Sequence, residues 1–132
     1  LPSLIRTATT GEILRLTNGE QKRDFTYVRD VATGLLKLGL APNIPGNIVN
    51  LASGKLTTVR EFVECAQGIL RISQKQLQFG AIPYREDEVW QGNVDVTLLK
   101  NSILWVPSYS ILKGIKETVK FVRAKKCTYQ RS

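Results

Sequence analysis

Residues 13–30 contain the pattern that most constrains how this chain can fold. The apolar-containing run of residues 13–16 is followed by Asn18-Gly19, and then by residues 22–27, in which charged and aromatic side chains are interleaved. An Asn-Gly pair between two such runs is a strong signal for a β-hairpin, because both residues accept the positive φ angles of a tight turn. We therefore predict that residues 13–16 and 22–27 pair as a hairpin.

The returning strand of that hairpin would carry a cation among aromatic rings. Successive side chains of a strand point to opposite faces, so Arg23, Phe25 and Tyr27 would share one face. A guanidinium held beside aromatic surface suits a ligand that has both a phosphate and a flat ring. The alternative is an edge hairpin with one solvated arginine and two core aromatics, and these residues alone favour that alternative.

The remaining sequence predicts helices that alternate with short strands, which is the pattern of an α/β protein. Helices are predicted over residues 1–10 (with Gly11 as the stop), 28–38, after a Thr58–Glu61 capping box, over 95–104, and after Ser110. Strands are predicted over residues 47–52 and 77–81, a turn at 45–46 and an ordered loop over 82–93. The side chains predicted to face inward on the three longer helices are Val31, Ala32, Leu35 and Leu36; Val59, Phe62, Val63, Ala66, Ile69 and Leu70; and Leu112, Ile115, Val119 and Val122.

Composition excludes several classes of protein. No apolar run approaches the roughly 20 residues that a membrane-spanning helix needs. The absence of histidine excludes Ser-His and Cys-His nucleophiles, and it leaves the two cysteines without partners for a zinc site. Cys65 and Cys127 have no paired spacing, which favours reduced thiols and a cytoplasmic location. Because the chain starts at Leu1 and has no methionine, we expect a fragment of a longer protein.

The net charge of +8 is concentrated near the C-terminus. Residues 113–132 contain seven Lys or Arg and one Glu. Such a segment can bind nucleic acid or another polyanion, although it is more often a solvated helix face with a frayed end. We expect one domain over residues 1–132, with 123–132 as a basic, frayed tail.

Four motifs in order resemble those of a known family. They are Gly19-x-x-x-Arg23-Asp24-Phe25-x-Tyr27-Val28-x-Asp30; Asn50-Leu51-Ala52-Ser53-Gly54; Tyr84-Arg85-Glu86-Asp87-Glu88; and the segment from Asp95 to Gly114. Together they resemble the C-terminal half of the extended short-chain dehydrogenase/reductases, the NAD-dependent nucleotide-sugar epimerases and 4,6-dehydratases. The resemblance covers residues 4–122 and implies part of a Rossmann-like fold, the substrate-binding portion with a small sheet and packed helices. One departure is Leu104, which replaces the glycine of the family's Leu-Gly-Trp-x-Pro.

The resemblance also implies roles for single residues. Arg23 and Arg85 would bind the diphosphate of a nucleotide sugar, Glu88 the ribose, and Leu16 the base. The alternative for Arg85 is a salt bridge within Glu86-Asp87-Glu88, and Asp95 corresponds to a helix N-cap rather than a ligand contact.

No catalytic residue is expected in this chain. It contains no Gly-x-Gly-x-x-Gly turn for a dinucleotide, and the family's catalytic Ser/Thr, Tyr and Lys would lie upstream. Tyr109 and Lys113 have the spacing of that Tyr-Lys pair, but they correspond to the family's terminal helix. The resemblance implies that the intact enzyme oxidises the sugar at C4 by hydride transfer to NAD⁺, epimerises or dehydrates it, and returns the hydride.

Three hypotheses follow. The first is that the chain is the substrate-binding part of such an enzyme and is inactive and without cofactor when alone. Its partners would then be a nucleotide sugar and the N-terminal cofactor domain. We expect neither a bound metal nor an association with a membrane. The second is a small basic module that binds nucleic acid or other anions through the terminal helix. Of these two hypotheses we favour the first, so we do not expect nucleic acid as the partner. The third is a remnant with a structural role only.

Overall fold

The computed structural model describes residues 1–42 and 48–129, so the turn predicted at residues 45–46 lies outside the described residues. The fold is α/β, as predicted, with two separate pairs of two-residue strands. Within the described part, none of the helices is long and apolar enough to cross a membrane. The helices are α1 Pro2–Thr10, α2 Val28–Leu40, α3 Val59–Leu70, α4 Thr97–Ile103 and α5 Ile111–Tyr129; the strands are β1 Leu14–Arg15, β2 Lys22–Arg23, β3 Thr57–Thr58 and β4 Leu77–Gln78.

The chain divides into two compact units, each assembled from segments that are distant in sequence. The first unit comprises Leu1–Glu20, Val59–Glu88 and Ser110–Ser132, and therefore contains α1, α3, α5, β1 and β4. The second unit comprises Gln21–Thr58 and Val89–Tyr109, and contains α2, α4, β2 and β3.

Three helices form the first unit because each presents an apolar stripe to the others. Pro2 stands in the first turn of α1, where its missing N–H costs nothing, and Gly11 ends that helix at φ 77° with its N–H on the carbonyl of Thr7. The Oγ of Ser110 accepts the N–H of Lys113 and so caps α5, as predicted. The buried cluster of this unit consists of Leu4, Val63, Ala66, Leu70, Ile72, Leu77, Ile115 and Val119.

The second unit is built around a close approach to α2. A Cβ at Gly34 would collide with Leu51 and lie 2.9 Å from Cζ3 of Trp105, so the absence of a side chain there lets both residues pack on the helix. Leu99 of α4 is fully buried. Asp30, in the first turn of α2, is 6% exposed, and its Oδ2 accepts the N–H groups of Ser108 and Tyr109 at 2.7 and 2.8 Å.

The prediction that residues 13–16 and 22–27 pair as a hairpin is wrong. β1 pairs in parallel with β4, and β2 pairs antiparallel with β3, so neither strand has the other as its partner. Gly19 does adopt the expected positive φ, of 76°, but its carbonyl accepts the N–H of Arg60 at 2.9 Å. The Asn-Gly turn is therefore fixed against the first residues of α3 rather than closing a strand pair.

Two further predictions about the second unit are wrong. Residues 48–52 form no strand, and Ile48 is 93% exposed. Helix α2 forms where predicted, but its side chains at Leu35 and Leu36 are 60% and 68% exposed. The periodicity identified an apolar stripe correctly, whereas the face buried in this chain is the one that carries Asp30 and Gly34.

The predictions for the first unit were more accurate. Helix α1 with its glycine stop, and α3 with its inward side chains, are confirmed. The strand predicted at residues 77–81 is limited to β4, and Leu112 of α5 is 48% exposed instead of buried. The loop over residues 82–93 and the short helix within 95–104 are also confirmed.

Candidate functional site

Arg23 belongs to the second unit, where three groups fix its position. Its backbone pairs with Thr57 across β2 and β3. Its Nη1 donates hydrogen bonds of 2.7 Å to the carbonyls of Lys22 and Val89. The side chain is half-buried. A guanidinium oriented in this way is a donor with a defined direction, which is what recognition of a phosphate requires.

Arg85 and Glu88 lie together on one tight turn of the first unit. The N–H of Glu88 donates to the carbonyl of Arg85 at 3.1 Å, so the turn carries a cation at its start and a carboxylate at its end. Arg85 is exposed and Glu88 is half-buried. The residue before the turn, Tyr84, accepts the N–H of Glu20 at 3.0 Å through its hydroxyl, and this bond anchors the loop.

Leu16 extends the pairing of β1 with β4 by one step. Its N–H donates to the carbonyl of Gln78 at 2.9 Å, and its carbonyl accepts the N–H of Ile82 at 3.3 Å. The half-buried side chain packs against the buried cluster of the first unit. Leu16, Arg85 and Glu88 are thus all carried by the first unit, on two segments joined by backbone hydrogen bonds, while Arg23 is carried by the second.

Arg60 forms a cationic contact that the sequence pattern did not reveal. Its guanidinium carbon lies 4.0 Å from the ring centroid of Phe79, and its Nε donates to the carbonyl of Asn18 at 2.9 Å. Gly80 follows Phe79 at φ 76°, and a Cβ there would lie 2.7 Å from Oδ1 of Asn18. Through these contacts Arg60 holds the Asn18-Gly19 turn, which follows Leu16, close to the turn at Phe79 and Gly80, which follows β4.

Asp24 is the residue whose role the sequence reasoning missed most clearly. The predicted strand placed Asp24 on the face opposite Arg23, together with Thr26 and Val28. In the structure its carboxylate accepts the N–H groups of Ser53 and Gly54, the hydroxyl of Ser53 and the hydroxyl of Thr26, at 2.8 to 3.1 Å. Ser53 and Gly54 lie 29 and 30 residues away, so no local pattern could have indicated these two partners.

Asp95 has the structural role that was expected of it. Its Oδ1 accepts the N–H of Thr97 at 2.8 Å, one residue before the N-cap position of α4 that the backbone assigns to Val96. Hydrogen bonds from the side chain and then the backbone of Thr97 lower the pKa of this carboxyl. The carbonyl of Asp95 also accepts Nδ2 of Asn50 at 3.1 Å.

In the described residues, the starts of α2, α3 and α5 lack the glycine-rich turn that typically binds the pyrophosphate of a dinucleotide cofactor. Such a cofactor needs a glycine-rich turn between a strand and the start of a helix, where the backbone can approach the phosphates without a Cβ in the way. The residues that directly precede α2, α3 and α5 are Tyr27, Thr58 and Ser110, all of which carry side chains. Among the described residues, no group of three Cys, Asp or Glu side chains could hold a metal ion.

Comparison with known proteins gives a consistent result. A family model described as GDP-mannose 4,6 dehydratase matches residues 2–118. A CDP-abequose synthase of Salmonella muenchen is 29% identical over 118 residues, a match that covers 89% of this chain and 40% of that protein.

Two solved structures share the fold. One is a UDP-glucose 4-epimerase of Thermotoga maritima with UDP-glucose, at a TM-score of 0.80 and 26% identity, covering 93% of this chain and 38% of that one. The other is TunA, an NAD-dependent NDP-hexosamine 5,6-dehydratase, at a TM-score of 0.77 and 26% identity, covering 93% and 39%. The chain spans about two fifths of the length of these relatives.

The family model covers well over half of the chain and includes Leu16, Arg23, Arg85 and Glu88. The resemblance found in the sequence is therefore confirmed. The chain belongs to the GDP-mannose 4,6-dehydratase family, among the NAD-dependent nucleotide-sugar epimerases and dehydratases of the extended short-chain dehydrogenase/reductase type, and matches their C-terminal region.

Proposed function

We propose that this chain is the substrate-binding part of an NAD-dependent nucleotide-sugar epimerase or 4,6-dehydratase, and that it holds the nucleoside diphosphate. Arg23 and Arg85 bind the diphosphate, Glu88 the ribose, and Leu16 contacts the base. The observation that carries the proposal is the continuous family match over residues 2–118, which includes these four residues.

The local geometry of each residue supports this assignment. A diphosphate is a doubly charged anion that guanidinium groups bind through charge-assisted hydrogen bonds. The turn from Arg85 to Glu88 presents a donor and an acceptor close together, which suits a phosphate joined to a ribose hydroxyl. The relatives point to the same ligand class, since the epimerase structure contains UDP-glucose and TunA acts on an NDP-hexosamine.

NAD belongs to this proposal only through the intact enzyme. TunA is NAD-dependent, whereas the helix starts within residues 1–42 and 48–129 of this chain lack a glycine-rich turn of the kind that holds a dinucleotide. We therefore assign NAD mainly to a cofactor domain outside residues 1–132, which would be the partner of this chain. When bound there, NAD accepts and returns the hydride, while the present residues bind and orient the substrate. A cytoplasmic location is part of the same proposal.

The test is a UDP titration of the full chain, followed by ¹⁵N NMR shifts, with the variants Arg23→Ala and Arg85→Ala. Each variant is expected to weaken UDP binding about tenfold or more, because it removes charge-assisted hydrogen bonds to the diphosphate. The matched control is Arg29→Ala, which removes one exposed positive charge from α2 and should change the affinity less than about twofold. Uridine, which lacks phosphates, should bind with equal weakness to all four proteins.

A truncation after Val122 separates this proposal from anion binding by the basic terminal segment. If the nucleotide-sugar proposal is correct, the truncated chain keeps its UDP affinity. Loss of all anion binding on truncation, with no effect of Arg23→Ala or Arg85→Ala, would establish the alternative instead. The same titration with CDP, GDP and dTDP identifies the base, and the isolated chain with NAD⁺ and nucleotide sugars should show no turnover.

A further inference from the structure

The carboxylate of Asp24 occupies an anion site made by the backbone of the second unit. The N–H groups of Ser53 and Gly54 donate to its two oxygens at 3.1 and 2.8 Å, and the Ser53 hydroxyl lies 3.0 Å from both. The Thr26 hydroxyl adds a bond of 2.8 Å. Hydrogen bonds to an ionised acceptor are about twice as strong as neutral ones, so this cluster fixes Asp24 firmly.

The turn that holds Asp24 has a backbone shaped for this purpose. Gly54 adopts φ 76°, and two successive N–H groups next to such a residue point to the same side and form a concave anion-binding nest. A Cβ at Gly54 would lie 3.2 Å from Cγ2 of Val96, so the turn is also tightly packed. The nest is filled by a side chain of the protein itself and is therefore a fixed part of the structure.

One short segment consequently fixes two adjacent residues of the chain. Residues 53 and 54 hold the side chain of Asp24, and Thr57, three residues further on, pairs with the backbone of Arg23. From that fixed backbone, Nη1 of Arg23 reaches the carbonyls of Lys22 and Val89, both at 2.7 Å. The direction of the guanidinium depends on where the backbone of residues 23 and 24 is held.

We propose that Asp24 is a positioning residue for nucleotide binding, which acts by holding Arg23 in the orientation that meets the diphosphate. This inference rests on the function proposed above for Arg23. Bidentate binding of phosphate tolerates only small errors in angle and distance, and a long side chain that is oriented beforehand loses less rotamer freedom on binding. Asp24 contributes to affinity without touching the ligand.

The test is a double-mutant cycle on UDP affinity in the full chain, with Arg23→Ala, Asp24→Asn and the double variant. Asparagine has nearly the same shape, but it replaces one acceptor oxygen with a donor facing the nest. We expect Asp24→Asn to weaken UDP binding about tenfold when Arg23 is present and to have no further effect when Arg23 is alanine. A purely structural role would weaken binding equally in both backgrounds and would overturn the inference.

Asp30→Asn is the matched control, because Asp30 is a second carboxylate of the same unit that accepts two backbone N–H groups. It should leave UDP affinity within about twofold of the wild type. Where Asp24→Asn unfolds the chain, Ser53→Ala carries the same cycle with an expected loss of about threefold, since it removes one donor and keeps the carboxylate. If Arg23→Ala itself leaves UDP binding unchanged, the proposed function of Arg23 is wrong, and the role inferred for Asp24 falls with it.

Discussion

The first unit buries eight aliphatic side chains in one cluster, whereas the second unit, in its described residues, buries only Ala52, Leu99 and Pro107. The second unit relies instead on polar contacts, in which Asp24 and Asp30 together accept four backbone N–H groups. Several of its larger aliphatic residues are exposed, among them Val28, Leu35, Leu36, Leu40 and Ile48. Apolar burial therefore stabilises the first unit most, while charge-assisted hydrogen bonds have a larger share in the stability of the second.

The largest expected effect comes from the apolar cluster of the first unit. Ile115 is 2% exposed, so Ile115→Ala removes buried methyl and methylene groups and leaves a cavity, at a cost of about 3 kcal/mol in the free energy of unfolding. Leu36→Ala, on the exposed face of α2, should cost less than about 0.5 kcal/mol. Urea denaturation followed by circular dichroism measures both values, and equal costs would contradict the proposed difference between the units.

The second largest effect is expected for Asp30→Ala, which tests how much the polar contacts stabilise the second unit. Asp30→Ala leaves the N–H groups of Ser108 and Tyr109 without their acceptor inside the fold, which should cost about 2 kcal/mol. Trp90 and Trp105 both belong to the second unit, so tryptophan fluorescence during urea denaturation follows this region. The exposed Asp87→Ala is the control and should be nearly neutral. A loss below about 0.5 kcal/mol for Asp30→Ala would show that the hydrogen bonds contribute little.

The two units also differ in how far the sequence predicted them. The apolar side chains of α1 and α3 recur about once per turn of helix, and they pack against the apolar faces of other helices. Local periodicity was therefore sufficient to predict which of them are buried. It was not sufficient for α2, because periodicity locates an apolar stripe without saying whether anything covers it. The strands have two residues each and take partners 34 or more positions away, beyond the reach of the Asn18-Gly19 signal.

The candidate site divides in the same way. Arg23, Leu16, Arg85 and Glu88 were identified because ordered motifs resemble a family, and the family itself is confirmed. The nest around Asp24 was missed, because it joins that residue to Ser53 and Gly54 through contacts that only the folded chain creates. Sequence motifs thus indicated which residues to consider, and the coordinates were needed to see what orients them.

A smaller effect is expected where a helix of each unit ends in the left-handed conformation. Helix α1 ends at Gly11 with φ 77°, but α4 ends at Leu104 with φ 50°, a conformation that costs a residue with a Cβ about 1 kcal/mol. Leu104→Gly should stabilise the chain by about 0.5 kcal/mol, once the greater freedom of glycine in the unfolded state is subtracted. Leu104→Ala is the control. It keeps the Cβ, and the side chain it shortens is 90% exposed, so the unfolding midpoint should stay unchanged. A destabilising Leu104→Gly would contradict the assignment of strain.

The smallest effect concerns the exposed carboxylate of the second unit. Hydrogen bonds from Thr97 lower the pKa of Asp95 from its ordinary value of 3.8, so the folded chain holds this proton less tightly than the unfolded chain does. The stabilisation is therefore complete above that ordinary value and is lost as the pH falls through the lowered pKa. In urea denaturation followed by tryptophan fluorescence, the stability difference between the wild type and Asp95→Asn should shrink as the pH decreases from about 5 to 3. A difference that stays constant over this range would mean that the bond to Thr97 does not depend on the charge of Asp95, and that Asp95 does not share the charge-assisted stabilisation inferred for Asp24 and Asp30.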